Sequence, residues 1–370
     1  MERKVIIGRQ EIIIRALGQP VDSAFDRLHE AYFGRRPLPW PELEAAALGL
    51  FAARPADWAA HNDYFNNFTV IWQDLLNAGK YRDAECLWRT ALDAALKWER
   101  SNPTLRIHKG TPYYFWSMTA LLHDDVDGGY LLAHQALQED IKTSQQPRPS
   151  MPAYWLVSLN YSEVHQAFQH WLQKQAQFLD SLLSNYKTQF GSSIMLKDVK
   201  RRFLDTPPTV DALFLLTYTL ARLMRLTNAP NHLTVNPFAG QLELNILFDL
   251  ALVIDNSIKP KNSPHQEFIR HAEYLLGVAG RPLTNAQLRE INGQFKSDFD
   301  VTVQSALDAR LTLPDGTALD RLQSDVALVY GLRNYGAHNT STVPTVWSRF
   351  MEVQQSAFRT LFATIEYMYP

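Results

Sequence analysis

The hexad Arg333-Asn334-Tyr335-Gly336-Ala337-His338, within "YGLRNYGAHNTSTVP" (330–344), sets a permanently charged guanidinium near an imidazole. Those two groups suit phosphate chemistry. For a ribose 2′-oxygen to attack the adjacent phosphorus and expel a 5′-oxygen, one proton must be removed, another delivered, and charge growing on the phosphoryl oxygens stabilised. Histidine moves protons near neutral pH. Arginine keeps its charge and presents a planar fork to phosphate oxygens. Asn334 adds an amide that can orient His338 or hold a phosphate oxygen. Tyr335, inside the motif, is a further supporting candidate.

Spacing of Arg to His alone discriminates little. With 24 Arg and 11 His in 370 residues, chance gives roughly two matches at separations of four to six intervening residues. Arg54 to His61, Arg225 to His232 and Arg333 to His338 are those found. Requiring Asn directly after Arg lowers the expectation at the four-residue separation to roughly 0.03, and only Arg333-Asn334 with His338 remains. The motif also lies at a junction of helices: "ALDRLQSDVALVYGLRN" (318–334) reads as one capped by an Asp- or Ser-type residue, and 343–369 reads as another.

On these residues the C-terminal block, from about 241 to 370, resembles the HEPN superfamily. Ribonucleases of that family carry Arg, four to six residues, then His, very often with Asn after the Arg. The resemblance implies a four- to five-helix bundle and RNA cleavage without metal or other cofactor at a site completed by two facing domains. It also implies a role in defence or stress, as a toxin, antiviral or CRISPR-linked effector. In HEPN proteins paired with a nucleotidyltransferase, a tyrosine commonly stands two residues after the His; here that place is Thr340. The helix periodicity adds its own constraint. Asn334 and His338 share a face, whereas Arg333 points about 140° aside from His338. A break at Gly336 or a second copy of the chain is therefore expected, and a homodimer through the C-terminal block answers that need.

Other polar residues supply lesser candidates. The helix over 242–261 carries Glu243, Asp249 and Asp255, of which Asp255 is taken as a supporting residue. "MLKDVKRRF" (195–203) groups Lys197, Lys200, Arg201 and Arg202 as a local RNA-attracting patch. The pairs His265/His271 and His165/His170 lack a third ligand at sensible spacing, so no metal site is expected. No GxGxxG or P-loop indicates a nucleotide cofactor.

Apolar residues recurring at three and four positions make the fold class all-α, with "VIIGRQEIII" (5–14) the one β-rich stretch. Proline-rich breaks at 144–152 and 228–237 divide the chain into an N-terminal helical region (1–150), a middle segment (151–236) and a HEPN-like bundle (237–370). The N-terminal part carries two hairpin-like segments offset by 45 residues, 77–92 and 123–137. The first resembles the second half of a tetratricopeptide repeat, with Gly79 and Tyr81 at the turn, Ala84 at the helix crossing, then Trp88 and Ala91. In the second, Asp124, Gly129 and Ala133 replace Gly79, Ala84 and Trp88. Such hairpins imply a concave surface for a protein or signal ligand. They also open an alternative function, a non-catalytic scaffold that binds a protein partner.

The net charge of −2 excludes a globally basic nucleic-acid binder. A lone cysteine, Cys86, excludes an intrachain disulfide and a Cys-based zinc site. Charges flank each short apolar run at the N-terminus, and no window reaches the ~18 uncharged apolar residues of a membrane span. A cytoplasmic protein with no membrane partner is expected.

Overall fold

Prolines and small polar clusters cut the apolar periodicity into helices, and the computed structural model describes residues 3–7, 10–144, 147–227, 237–262, 267–336 and 344–369. The fold is all-α. Among the described residues, regular β-structure is one antiparallel pair, β1 (Arg3–Ile7) and β2 (Gln10–Ile14), with an isolated bridge between Thr312 and Ala318. The β-branched run flagged in the sequence is that pair. No helix among the described residues is long and apolar enough to cross a membrane.

Two compact units divide at residues 173 and 174. The break falls within a helix, not at either proline-rich stretch, and most of the expected middle segment belongs to the same unit as the C-terminal helices. The reason is apolar continuity: helix 210–227 is buried along one side at Leu213, Leu216, Leu220 and Leu223, and needs the C-terminal helices to cover that face.

The first unit follows the β-pair with α1 (Val21–Phe33), α2 (Trp40–Ala53), α3 (Trp58–Asn66), α4 (Thr69–Asn77), α5 (Tyr81–Ser101), α6 (Gly110–Leu122), α7 (Val126–Thr143) and α8 (Pro152–Val157). Helices α4/α5 and α6/α7 are the two expected hairpins. Gly79 turns the first at φ +68 and Asp124 the second at φ +66. Aspartate tolerates that left-handed backbone better than most residues with a Cβ, which is why it can stand where the first copy has glycine. Ala84 and Gly129 are the small residues at the crossings. A Cβ at Gly129 would fall 2.4 Å from Leu121 Cγ, so the second crossing is too close even for alanine. Trp72, Trp88 and Phe115 fill the space between the helices.

Beneath the start of α6 lies a buried charged group. Lys109, 1% exposed, is paired with Glu99 and Glu139, and Arg106 also grips Glu139. Thr143 Oγ1 donates its one proton to the Glu139 carbonyl at 2.6 Å, so it accepts from His108 Nδ1–H at 2.6 Å. The other nitrogen of His108 is then a bare acceptor, 3.6 Å from Asp140 Oδ1. Burial, reinforced by Glu139, pushes the Asp140 carboxyl up to about 7. Burial and His61 hold the His108 imidazole down at about 4.

The second unit contains the end of α9 (Gln166–Phe190), then α10 (Leu196–Val199), α11 (Val210–Thr227), α12 (Pro237–Ile258), α13 (Phe268–Val278), α14 (Asn285–Ser297), α15 (Phe299–Leu307), α16 (Arg321–Gly336), α17 (Pro344–Ser348) and α18 (Phe350–Met368). A reciprocal cap starts α16: Gln323 N–H donates to Asp320 Oδ1 at 3.0 Å and Asp320 N–H to Gln323 Oε1 at 2.9 Å. Its residues from Ser324 to Leu332 are all buried, because α12, α13, α14, α15 and α18 surround it. Within that core, Asp325 accepts two bonds from Arg359 of α18 and one from Ser356, each at 2.6 Å, with Arg321 at 3.2 Å.

The single helix expected over 343–369 is broken. Thr345 is tied to Asp300 through its N–H at 2.7 Å and its hydroxyl at 2.8 Å. Arg349, at φ −121, reaches Asp308 at 2.7 Å and Glu352. These bonds hold α17 on α15 while α18 turns onto α12 and α16.

Two predictions follow from these charges. Asp325→Ala strands the Arg359 guanidinium in the core, so urea unfolding should show a loss of about 3–5 kcal/mol, as for removing one partner of a buried pair; a loss below 1 kcal/mol would contradict the assigned role. For Asp140, the folded carboxyl holds its proton up to about pH 7 against an ordinary value of 3.8 in the unfolded chain. Its contribution is therefore present at low pH and lost as pH rises through that window. His108 acts in the opposite sense, gaining between about 4 and 6.5. The difference in stability between wild type and Asp140→Asn isolates the carboxyl, and should fall from about pH 4 to 7 by at most about 1.4 kcal/mol per unit. Equal slopes in denaturation at a series of pH values would exclude this burial effect.

Candidate functional site

The last turn of α16 is where the buried helix reaches solvent. Arg333, Asn334 and Tyr335 are partly exposed after nine buried residues. Helix α16 ends at Gly336, and His338, with Ala337 and Thr340, lies outside the described residues.

Arg333 lies beside Asp255, its Nε 3.5 Å from Oδ2, and its guanidinium lies 5.8 Å from the centre of the Phe268 ring. That Nε–H is buried and makes no hydrogen bond, so the contact with Asp255 is one of charge rather than of donor geometry. Asp255, three residues before the end of α12, is 8% exposed. It accepts from Nδ1–H of the fully buried His271 at 2.5 Å. One carboxylate of α12 thus faces an imidazole of α13 and a guanidinium of α16. Arg333 stands beside that carboxylate and also lines the cleft at this end of α16. The other two acids on α12 stand apart from this contact: Asp249 pairs with Arg222 at 2.6 Å, and burial pushes Glu243 up to about 7.

Two hollows of about 490 and 510 Å³ adjoin at this end of α16, sharing Asn292, Lys296, Tyr330 and Asn334 in their walls. One wall is the face of α14 formed by Arg289, Asn292, Gly293 and Lys296, positions i, i+3, i+4 and i+7. Opposite it stand Tyr330, Arg333 and Asn334 of α16. Asn334 Nδ2–H donates to Asn292 Oδ1 at 3.0 Å. Tyr335 stacks on Phe299 with ring centres 3.9 Å apart. The close approach of the walls depends on Gly331, where a Cβ would come within 2.7 Å of the buried Phe295 ring.

Arg333, Asn334, Tyr335 and Asp255 are therefore assembled around one end of α16. The patch at 197–202 is separate from it: none of Lys197, Lys200, Arg201 and Arg202 lines the cleft. Nor is it one free face. Arg201 stands 3.7 Å from Asp198, and the Arg202 Nε is buried. Sequence reasoning missed Arg289, Asn292 and Lys296, whose helical spacing reads as an ordinary solvated face, and His271, which is sixteen residues from Asp255 with no local pattern linking them. No group of three or more His, Cys, Asp or Glu among the described residues could hold a metal ion.

Compared with protein-family models, curated proteins and solved structures, the chain matches none.

The geometry at Gly331 gives a direct test. Alanine would raise helix propensity by up to about 1 kcal/mol, but its methyl would press on a buried ring, and overpacking costs about 1–3 kcal/mol. Gly331→Ala should therefore be net destabilising in thermal melts. A stabilised variant would show that α14 and α16 can separate freely.

Proposed function

We propose that the protein is an endoribonuclease of HEPN type, cutting RNA by attack of a 2′-oxygen, with Arg333, Asn334 and His338 as its catalytic groups. The observation that carries this reading is Arg333 itself. Its guanidinium lies against the carboxylate of Asp255, and the residue lines a cleft shared with the basic residues Arg289 and Lys296. A cation held in this way suits oxygens that gain charge as phosphorus becomes five-coordinate.

In the reaction, the 2′-hydroxyl loses its proton to a base as its oxygen bonds to phosphorus, and the P–O5′ bond breaks as the 5′-oxygen takes a proton. His338, two residues beyond the end of α16 in sequence, is assigned one or both proton transfers. The products are a 2′,3′-cyclic phosphate and a 5′-hydroxyl. Arg333 stabilises the phosphoryl oxygens, and Asn334 stands beside it to orient the strand. Two chains facing through the C-terminal unit would bring two such motifs to one substrate, and toxin or defence activity is the setting this chemistry suits.

Purified protein mixed with RNA should cut it equally well with and without EDTA and leave cyclic-phosphate ends. His338→Ala should abolish cutting. Arg333→Lys keeps the charge but loses the fork, so its rate should fall by a factor on the order of ten to a thousand with little change in melting temperature. The particle mass in light scattering should be that of two chains. Undiminished cleavage by His338→Ala would refute the assignment.

A further inference from the structure

Asn292 is an unusual residue to find in the wall of a cleft. It is 8% exposed, yet the one hydrogen bond its side chain makes among the described residues is accepted from Asn334. That bond uses one of Asn334's two N–H groups and one lone pair of Asn292. Both N–H groups of Asn292 and the carbonyl of Asn334 meet no other group among the described residues, and neither is sealed in the core. Both side chains line the two hollows. These unused groups reach solvent at the cleft, so they are free to bond something that arrives. Turning both amides over would still present a donor beside an acceptor, so the pattern does not depend on which way they are drawn.

The surroundings say what arrives. On α14, Arg289 lies three positions before Asn292 and Lys296 four after it, so cations flank the amide pair along the helix axis, about 10 Å apart. Both are exposed, and Lys296 belongs to both hollows. The stacked rings of Tyr335 and Phe299 wall the hollow that lies on the far side of Asn334 from Arg333. Gly293 contributes no side chain, and a Cβ placed there would meet nothing within 4 Å, so the floor is open at that point. Aromatic faces, a donor beside an acceptor, and cations on both sides are the groups that hold a single unpaired nucleotide.

We infer that the Asn292–Asn334 amide pair and the Phe299–Tyr335 rings form a nucleobase subsite beside the phosphate position at Arg333, with adenine as the preferred base. Adenine presents its N6 donor between two acceptors, N7 and N1, so it can meet the amide pair on either edge; guanine offers two acceptors on its N7 edge and so can meet the pair only through O6 and N1–H. The pyrimidines offer one suitable edge and less surface to stack. This inference rests on the reading of the cleft as an RNA site, and it makes the enzyme selective for an unpaired adenosine next to the bond that is cut.

The test uses the full chain carrying His338→Ala, which preserves the RNA, and fluorescently labelled oligouridine of about ten nucleotides with a single central A, G, C or U. At low salt the strand with A should bind at least about fivefold more tightly than the other three, the discrimination expected of one bidentate amide contact. Asn292→Leu, close in size, should reduce that preference to below about twofold, because the two-point contact that favours adenine is lost. Melting curves establish that the variant is folded; Asn292→Ala serves if it is not. Equal binding of all four strands, preference for another base, or retained adenine preference in Asn292→Leu would overturn the subsite but leave an RNA-binding cleft. Absence of binding to every strand would overturn the RNA reading itself.

Discussion

A carboxylate sealed inside the C-terminal unit sets the terms for everything around it. Asp325 is 1% exposed and Arg359 4%, and their paired bonds of 2.6 Å join α16 to α18 at one register. A buried ion pair of this kind adds little stability over well-packed apolar side chains, but it does not tolerate alternatives, because any slip leaves charge unpaired in a medium of low polarity. One residue of slippage would turn α16 by 100°. With the register fixed, Arg333, eight residues and about 12 Å further along the axis, can arrive only where α12, α13 and α14 meet the helix.

That end of the helix is polar for a reason of packing. Apolar groups surround α16 through most of its length, as expected of a central helix, and the surrounding helices give way at its last turn. There the side chains that would otherwise be unsatisfied find specific partners: Arg333 with Asp255, Asn334 with Asn292, Tyr335 with Phe299. Gly331 lets the wall of α14 come close enough for these contacts to form. The cleft is a consequence of one helix emerging from a core while its neighbours supply charge and amide groups from other parts of the sequence.

The N-terminal unit solves a different problem with similar means. Its two hairpins repeat a turn in the left-handed region and a small residue at the crossing, but satisfy each with a different residue: Gly79 and Ala84 in one, Asp124 and Gly129 in the other. The same backbone requirement can be met by glycine or aspartate, and the same close approach by alanine or glycine, so the repeat is clearer in geometry than in letters. Below α6, Lys109 and Arg106 offset the burial of Glu139, whereas burial beside Glu139 raises Asp140, which has no comparable cation among the described residues.

What the sequence by itself determined was local. The 3.6-residue periodicity specified helices, prolines marked most of their ends, and the run near the N-terminus stood out as β-rich. The Arg-Asn motif could be found because its residues are adjacent along the chain. The tertiary structure alone decided where the compact units divide, since that depends on which apolar faces cover one another rather than on where prolines fall. It also broke the last helix at Arg349, whose bond to Asp308 lies 41 residues away in sequence. And it decided what surrounds the motif: Asp255, His271 and Asn292 come from three other helices, and their place beside Arg333 and Asn334 is fixed by long-range packing, which leaves no periodic trace in a linear chain.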